Sequence, residues 1–178
     1  SGDWSSDVCS SDLWAALQAG LARRALGSPR ERDYLDALAR RYVAPGQPHD
    51  RAALNQAFAD AMRSVAEAHP DDADATVFFV DAVMNTTPWD YWQPNRTDPK
   101  PVIADALRRI DAVLSRQPDH PGANHLNIHL VEAGPDPARG LPSASRLRRY
   151  APAAGHLVHM PSHIYIRVGQ YQDAIEAN

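Results

Sequence analysis

Cysteine is almost missing from this chain. The one residue, Cys9, rules out an internal disulfide framework, and it offers at most one thiolate for a metal or a nucleophile. Glycine is scarce, at nine residues in 178, and runs of β-branched residues are absent, which argues against sheet and favours helix nearly throughout. No apolar run approaches the roughly 20 residues that span a bilayer, so a soluble chain of cytoplasm or periplasm is expected. No signal peptide is visible. Net charge is -4 with acids and bases interspersed, and no basic stripe exists, which removes nucleic acid from the expected partners. HExxH, GxSxG, the P-loop and GxGxxG are all missing, so any catalytic claim has to rest on other residues.

The two ends are unusual. Residues 3–13, DWSSDVCSSDL, resemble a sequencing-library adapter translated in one frame. They are polar and stop abruptly where an amphipathic pattern starts at Trp14. Residues 1–13 are therefore set aside as a non-native segment, as an expression tag would be. Cys9 lies inside that segment, and the remaining chain, 14–178, has no cysteine. Asn178 falls within a helical pattern, so an internal fragment of a longer protein is expected.

What is present is a succession of short helical patterns. Trp14, Leu17, Leu21 and Ala25 recur at helical spacing and predict a helix over 14–26. Ser28, Pro29 and Glu31 form a capping-box start for 29–42. Asp50 caps 51–68, whose stripe is Leu54, Phe58, Met62 and Val65. A helix over 73–86 would pack through Phe78, Phe79, Val80 and Val83. The irregular stretch 87–100 follows and holds Trp89, Tyr91 and Trp92. Its aromatics either plug the end of a helical stack or wall a ligand groove. Pro101 opens 101–116, with Ile103, Leu107, Ile110 and Leu114 inward; 121–133 and 137–149 come next, with Leu141, Ala144 and Leu147 on the face of the latter. Pro152 turns the chain into a helix ending near Val168, Gly169 stops it, and Tyr171 opens the last one.

Within this succession, one segment repeats. His125 and His129 in NHLNIHLVE recur 34 residues later as His159 and His163 in GHLVHMPSHIY, and Pro118 recurs as Pro152. The corner before Pro118, Pro70, stands 48 residues upstream, and the excess matches an insertion at 87–100. Each helical hairpin alone leaves one apolar side open, so stacking is what buries a core. A 34-residue period of paired helices resembles the tetratricopeptide (TPR) family. Tyr165, Gly169, Tyr171 and Ala174 fit its pattern best, while Gly140 stands where a small alanine is usual. The histidine segments are similar to those of a group of bacterial TPR-repeat proteins. The resemblance implies an all-α solenoid of antiparallel hairpins over 14–178, with a concave groove that takes a protein or peptide partner. It places His156, His125 and His159, His129 and His163, and Glu132 on the groove side of the first helices of adjacent repeats. Asp81 and Asn85 take the corresponding side of the preceding repeat, and Trp89 and Trp92 lie beside it.

Residues four apart stand one above the other on a helix, so two imidazoles at that spacing can grip one ion. Packed helices lie about 8–10 Å apart, which lets imidazoles from neighbours meet. His125, His129, His159 and His163 are thus candidate ligands of one divalent transition metal, with zinc, copper or iron suited to imidazole. Glu132 or Asp81 would orient a ligand or act as base if the site is enzymatic, hydrolytic or redox. Three readings stay open: a metal site, a polar groove for a peptide or small anion, and histidines satisfied by backbone and neighbours. Imidazoles converging within about 5 Å would favour the first. His49, His69 and His120 fall at helix ends and are expected in solvent; Asn124 and Asn127 are expected to cap or face water. Pro161 lies inside the last histidine helix and lacks an amide proton. Either the helix kinks there, or residues 156–160 belong to an entry loop.

Overall fold

The computed structural model describes residues 7–150 and 153–178. Among them the chain is helical, with no β-strand and a single isolated bridge, between Trp92 and Pro99. The expected all-α class is met at that level. Pro152, expected at a turn, lies outside the described residues, as do residues 1–6 of the adapter-like segment. Two compact units meet in sequence at Thr86 and Thr87.

The first unit holds α1 (Asp7–Ala22), α2 (Pro29–Leu38), α3 (Arg51–Ala68) and α4 (Ala73–Met84). Helix α1 begins upstream of the predicted position 14, and its end gives way to a 3-10 turn over Arg24–Leu26. Ser28 and Glu31 form the predicted capping box, with the Glu31 amide donating to Ser28 Oγ at 3.3 Å and the Ser28 amide to Glu31 Oε2 at 2.7 Å. Asp50 Oδ1 accepts from the amides of Ala52 and Ala53 at 2.9 and 3.2 Å, which fixes the start of α3 where predicted. Helices α3 and α4 pack through Phe58, Met62 and Val65 on one side and Phe79, Val80 and Val83 on the other. Phe78, expected inside, is 50% exposed and meets Tyr34 edge-on instead. It sits one residue from Phe79, about 100° around the helix, so both cannot face the same core.

The second unit holds α5 (Pro101–Arg116), α6 (Pro121–Val131), α7 (Leu141–Tyr150), α8 (Gly155–His159), α9 (Pro161–Arg167) and α10 (Tyr171–Ala177). Helix α6 is central and packs against α5, α7 and α9. Leu126, Ile128, Leu130 and Val131 are buried, as are Asn124 and Asn127. Asn124 Nδ2 donates to the carbonyls of Pro118 and His120, both at 2.9 Å, and closes the preceding turn. Asn127 does not face water as expected; its Nδ2 donates to Ser143 Oγ on α7 at 2.9 Å. What remains of α6 is one polar stripe, His125 and His129, continued by Glu132.

Gly140 lets α9 approach α6. A Cβ there would lie 2.6 Å from Ile164 Cδ1 and 3.0 Å from Val131 Cγ2, so any side chain would force Ile164 to shift. Predicted helix 137–149 begins here as a 3-10 turn over Pro137–Gly140 before α7. At Pro161 the histidine helix is interrupted rather than begun late. Met160 stays right-handed helical (φ -51°, ψ -39°) and separates α8 from α9. The ladder resumes with the His163 amide donating to the Met160 carbonyl at 3.2 Å. The missing amide of Pro161 accounts for the break.

Candidate metal centre

Helix α6 presents His125 and His129 one turn apart, their ring centroids 4.9 Å from each other. Across from them, α8 presents His156 and His159, and α9 presents His163. His125 lies 5.0 Å from His156 between centroids, His129 5.7 Å from His163, and His159 4.9 Å from His163. Five imidazoles thus form one continuous wall.

Glu132 organises two of them. Its Oε1 accepts from His129 Nδ1 at 3.0 Å and its Oε2 from His163 Nδ1 at 2.7 Å. An ionised carboxylate only accepts, so each Nδ1 carries a proton, and in the neutral ring each Nε2 keeps its lone pair. This is the arrangement by which outer carboxylates set the tautomer of metal-binding histidines. Burial alone would raise the Glu132 pKa; the bonds from His129 and His163 outweigh it and hold the group below the ordinary carboxylate value. Side-chain exposure of Glu132 and His129 is only 12% and 13%, so the bond between them is shielded from water, while His163 is 27% exposed.

The remaining nitrogens face one another. His159 Nδ1 lies 2.6 Å from Asn178 Oδ1 and donates to it, while His159 Nε2 lies 3.0 Å from His163 Nε2. With both Nδ1 atoms already protonated, two lone pairs meet across that gap unless a cation, proton or metal, stands between them. His156 Nε2 and His125 Nε2 also lie 3.0 Å apart, and there one neutral ring donates to the other, since no partner among the described residues holds either Nδ1 proton. Burial, reinforced by His129, His156 and His163, lowers the His125 pKa to about 4, so this ring is neutral and free to ligate near pH 7. The His156 pKa is also lowered, by burial first and by neighbouring histidines second. Two tetrahedral imidazole ligands at Zn–N of about 2.05 Å are about 3.3 Å apart, close to both separations.

Two three-donor groups result among the described residues: His125, His129 and His156, and His129, Glu132 and His163. Each group holds two of the four expected ligands, His125 with His129 in the first and His129 with His163 in the second, and each is completed by a residue that the sequence reading placed in the groove, His156 or Glu132. His159 stands outside both groups and reaches the wall through His163. The spacing of His156, His159 and His163 along the chain was the available signal for His156, since positions three and seven apart share a helix face. Asn178 carried no sequence signal. Asp81 and Asn85 belong to the first unit, where Asn85 Nδ2 donates to the Asp81 carbonyl at 2.9 Å and to Oδ2 at 3.3 Å. His69 and His120, expected in solvent, are engaged: His69 Nε2 pairs with Asp33 at 2.8 Å, and His120 Nδ1 accepts from the Ala123 amide at 3.3 Å.

The aromatic stretch divides into anchored and exposed residues. Tyr91 is buried, and Trp92 lies over Gly134, its Nε1 donating to the Leu130 carbonyl at 3.0 Å. Trp89 is 69% exposed and stands edge-on to His129 at 5.3 Å. One aromatic therefore borders the histidine wall while two anchor the stretch to the helices. No protein-family model matches the chain, and no match was found among curated proteins or solved structures.

Proposed function

We propose that this chain is a TPR-like helical-repeat segment whose histidine wall binds one divalent transition metal and, through it, a ligand or a peptide partner. The observation that carries the proposal is the proton accounting around Glu132. The carboxylate and Asn178 accept hydrogen bonds from the Nδ1–H groups of His163 and His159, and the Nε2 lone pairs of the two neutral rings then converge at 3.0 Å. A metal ion relieves that convergence and uses it. Neutral imidazole with a nearby carboxylate suits zinc, copper or iron, and the lack of cysteine outside the first residues favours a nitrogen-ligated ion.

The test is elemental analysis of the chain carrying no histidine tag, beside a His129→Ala, His163→Ala double variant. About one ion per chain is expected in the wild type, with loss of most of it in the folded variant. A folded wild type that takes up no zinc, copper or iron overturns the reading.

A metal-dependent enzyme is the second reading. Its support is the composition of the group His125, His129 and His156, since three nitrogens leave one tetrahedral place open, as in catalytic zinc sites. Glu132 would then stand beside the ion as base. Zinc-loaded chain that hydrolyses 4-nitrophenyl acetate no faster than the double variant would dismiss it.

A further inference from the structure

We propose that a cavity beside Trp89, bordering the histidine wall but lined by none of its histidines, binds a small planar monocarboxylate. The cavity is about 550 Å³, and its lining includes Trp89, Trp92, Gln93, Arg96, Lys100 and Ala133. Its size falls in the range of small-molecule sites, about 300–1,000 Å³. This inference goes beyond the metal reading and does not depend on it.

The first observation is backbone strain. Among the described residues, Trp89 (φ 62°) and Arg96 (φ 56°) are the only non-glycine residues in the left-handed region, and both line this cavity. Trp89 follows Pro88 in a turn closed by the Asp90 amide on the Thr87 carbonyl at 3.1 Å. Proline followed by positive φ is the type II pattern, and its third position favours glycine. A bulky tryptophan there is kept against preference, which turns the indole outward. Such strain concentrates at ligand sites.

The second observation is charge. The Lys100 ammonium is paired with Asp90, and the two neutralise each other. Arg96 donates its amide to the Gln93 carbonyl at 2.8 Å, while its guanidinium has no partner among the described residues. One uncompensated guanidinium therefore faces a cavity in a chain of net charge -4. Its planar fork matches a carboxylate through two parallel hydrogen bonds. The two indoles supply a surface on which a flat body stacks, and the Gln93 amide can orient a polar substituent.

The surrounding loop is held firmly enough to keep this shape. The Gln93 amide donates to the Asp98 carbonyl at 2.8 Å and the Lys100 amide to the Tyr91 carbonyl at 2.9 Å. Asn95 Oδ1 accepts from the amides of Thr97 and Asp98 at 3.0 and 3.3 Å. Trp92 is fastened to Leu130 as described. Arg96 thus projects from a fixed hairpin.

Benzoate is the probe, titrated into chelator-treated protein in low-chloride buffer and followed by the indole Nε1–H NMR signals of Trp89 and Trp92, assigned with Trp89→Phe and Trp92→Phe. Both signals should shift and saturate with a Kd of about 1 mM or tighter, the affinity expected of so small a ligand. Arg96→Gln should weaken binding about tenfold or more, Arg96→Lys by less, and cyclohexanecarboxylate should bind about fivefold more weakly than benzoate. The His163→Ala variant, altered at a wall residue that does not touch the cavity lining, should bind as the wild type does. No saturable shift up to about 10 mM benzoate, an unchanged Kd in folded Arg96→Gln, or loss of binding in the folded histidine variant would each overturn the proposal. Because the protein is metal-free throughout, failure here leaves the metal reading standing, and the reverse also holds.

Discussion

Glu132 holds His129 and His163 by their Nδ1 atoms, and His163 in turn reaches His159. Replacing Glu132 with glutamine removes the charge that fixes both tautomers. Glu132→Gln is expected to lower zinc affinity about 10- to 100-fold, the usual range for outer carboxylates, as measured by competition with a chromogenic chelator. Unchanged affinity would mean that Glu132 has no orienting role. His125 yields a pH prediction for the metal-free chain. Its folded pKa is lowered from 6.5 to about 4, so the unfolded chain binds the extra proton first as pH falls. Stability from this group is complete above about pH 6.5 and is lost as pH drops toward 4. Thermal melts between pH 7 and pH 5 should show a falling Tm, and His125→Gln should flatten that slope. An equally steep slope in the variant would place the titration elsewhere. The helical periodicity already put His125 and His129 on one face, and likewise His159 and His163. Glu132 stands one helical turn from His129, but its bond to the Nδ1 of His163 was not readable, because the two are 31 residues apart and belong to different helices.

At the scale of the helices, the contact of α6 with α9 sets the distance from Glu132 to His163. Gly140 lies between Val131 and Ile164 at that contact. Gly140→Ala should cost about 1–3 kcal/mol by overpacking, read as a lower urea midpoint at unchanged slope. If the strain is relieved by displacing α9 rather than by rotating the Ile164 side chain, zinc binding should weaken as well. A stable Gly140→Ala protein with full affinity would show that the Ile164 side chain adjusts freely. Helix positions were largely legible: Ser28, Asp50, Pro101 and Gly169 mark boundaries that the structure keeps, with Gly169 at φ 80°. Pro161 left two outcomes open in the sequence. Whether its missing hydrogen bond bends a helix or precedes one depends on how residues 155–159 pack, and they form α8.

For the molecule as a whole, every donor of the histidine wall comes from the second unit. Zinc at about 100 times its Kd should stabilise that unit by about 2.7 kcal/mol through mass action. Hydrogen exchange should slow in α6, α8 and α9 on zinc addition and stay unchanged in α1–α4. Equal protection of α3 would show that the ion is coupled to the first unit. Composition and pattern alone determined that this chain is helical, where most helices start, and which histidines share a face. Those features arise from interactions within four residues, and local sequence specifies them. Tertiary structure decided that Glu132 bridges two helices, that His156 joins the wall, and that Trp89 stands exposed while Tyr91 and Trp92 are anchored. Each depends on how closely separate helices approach, and that distance is set by the volumes packed between them.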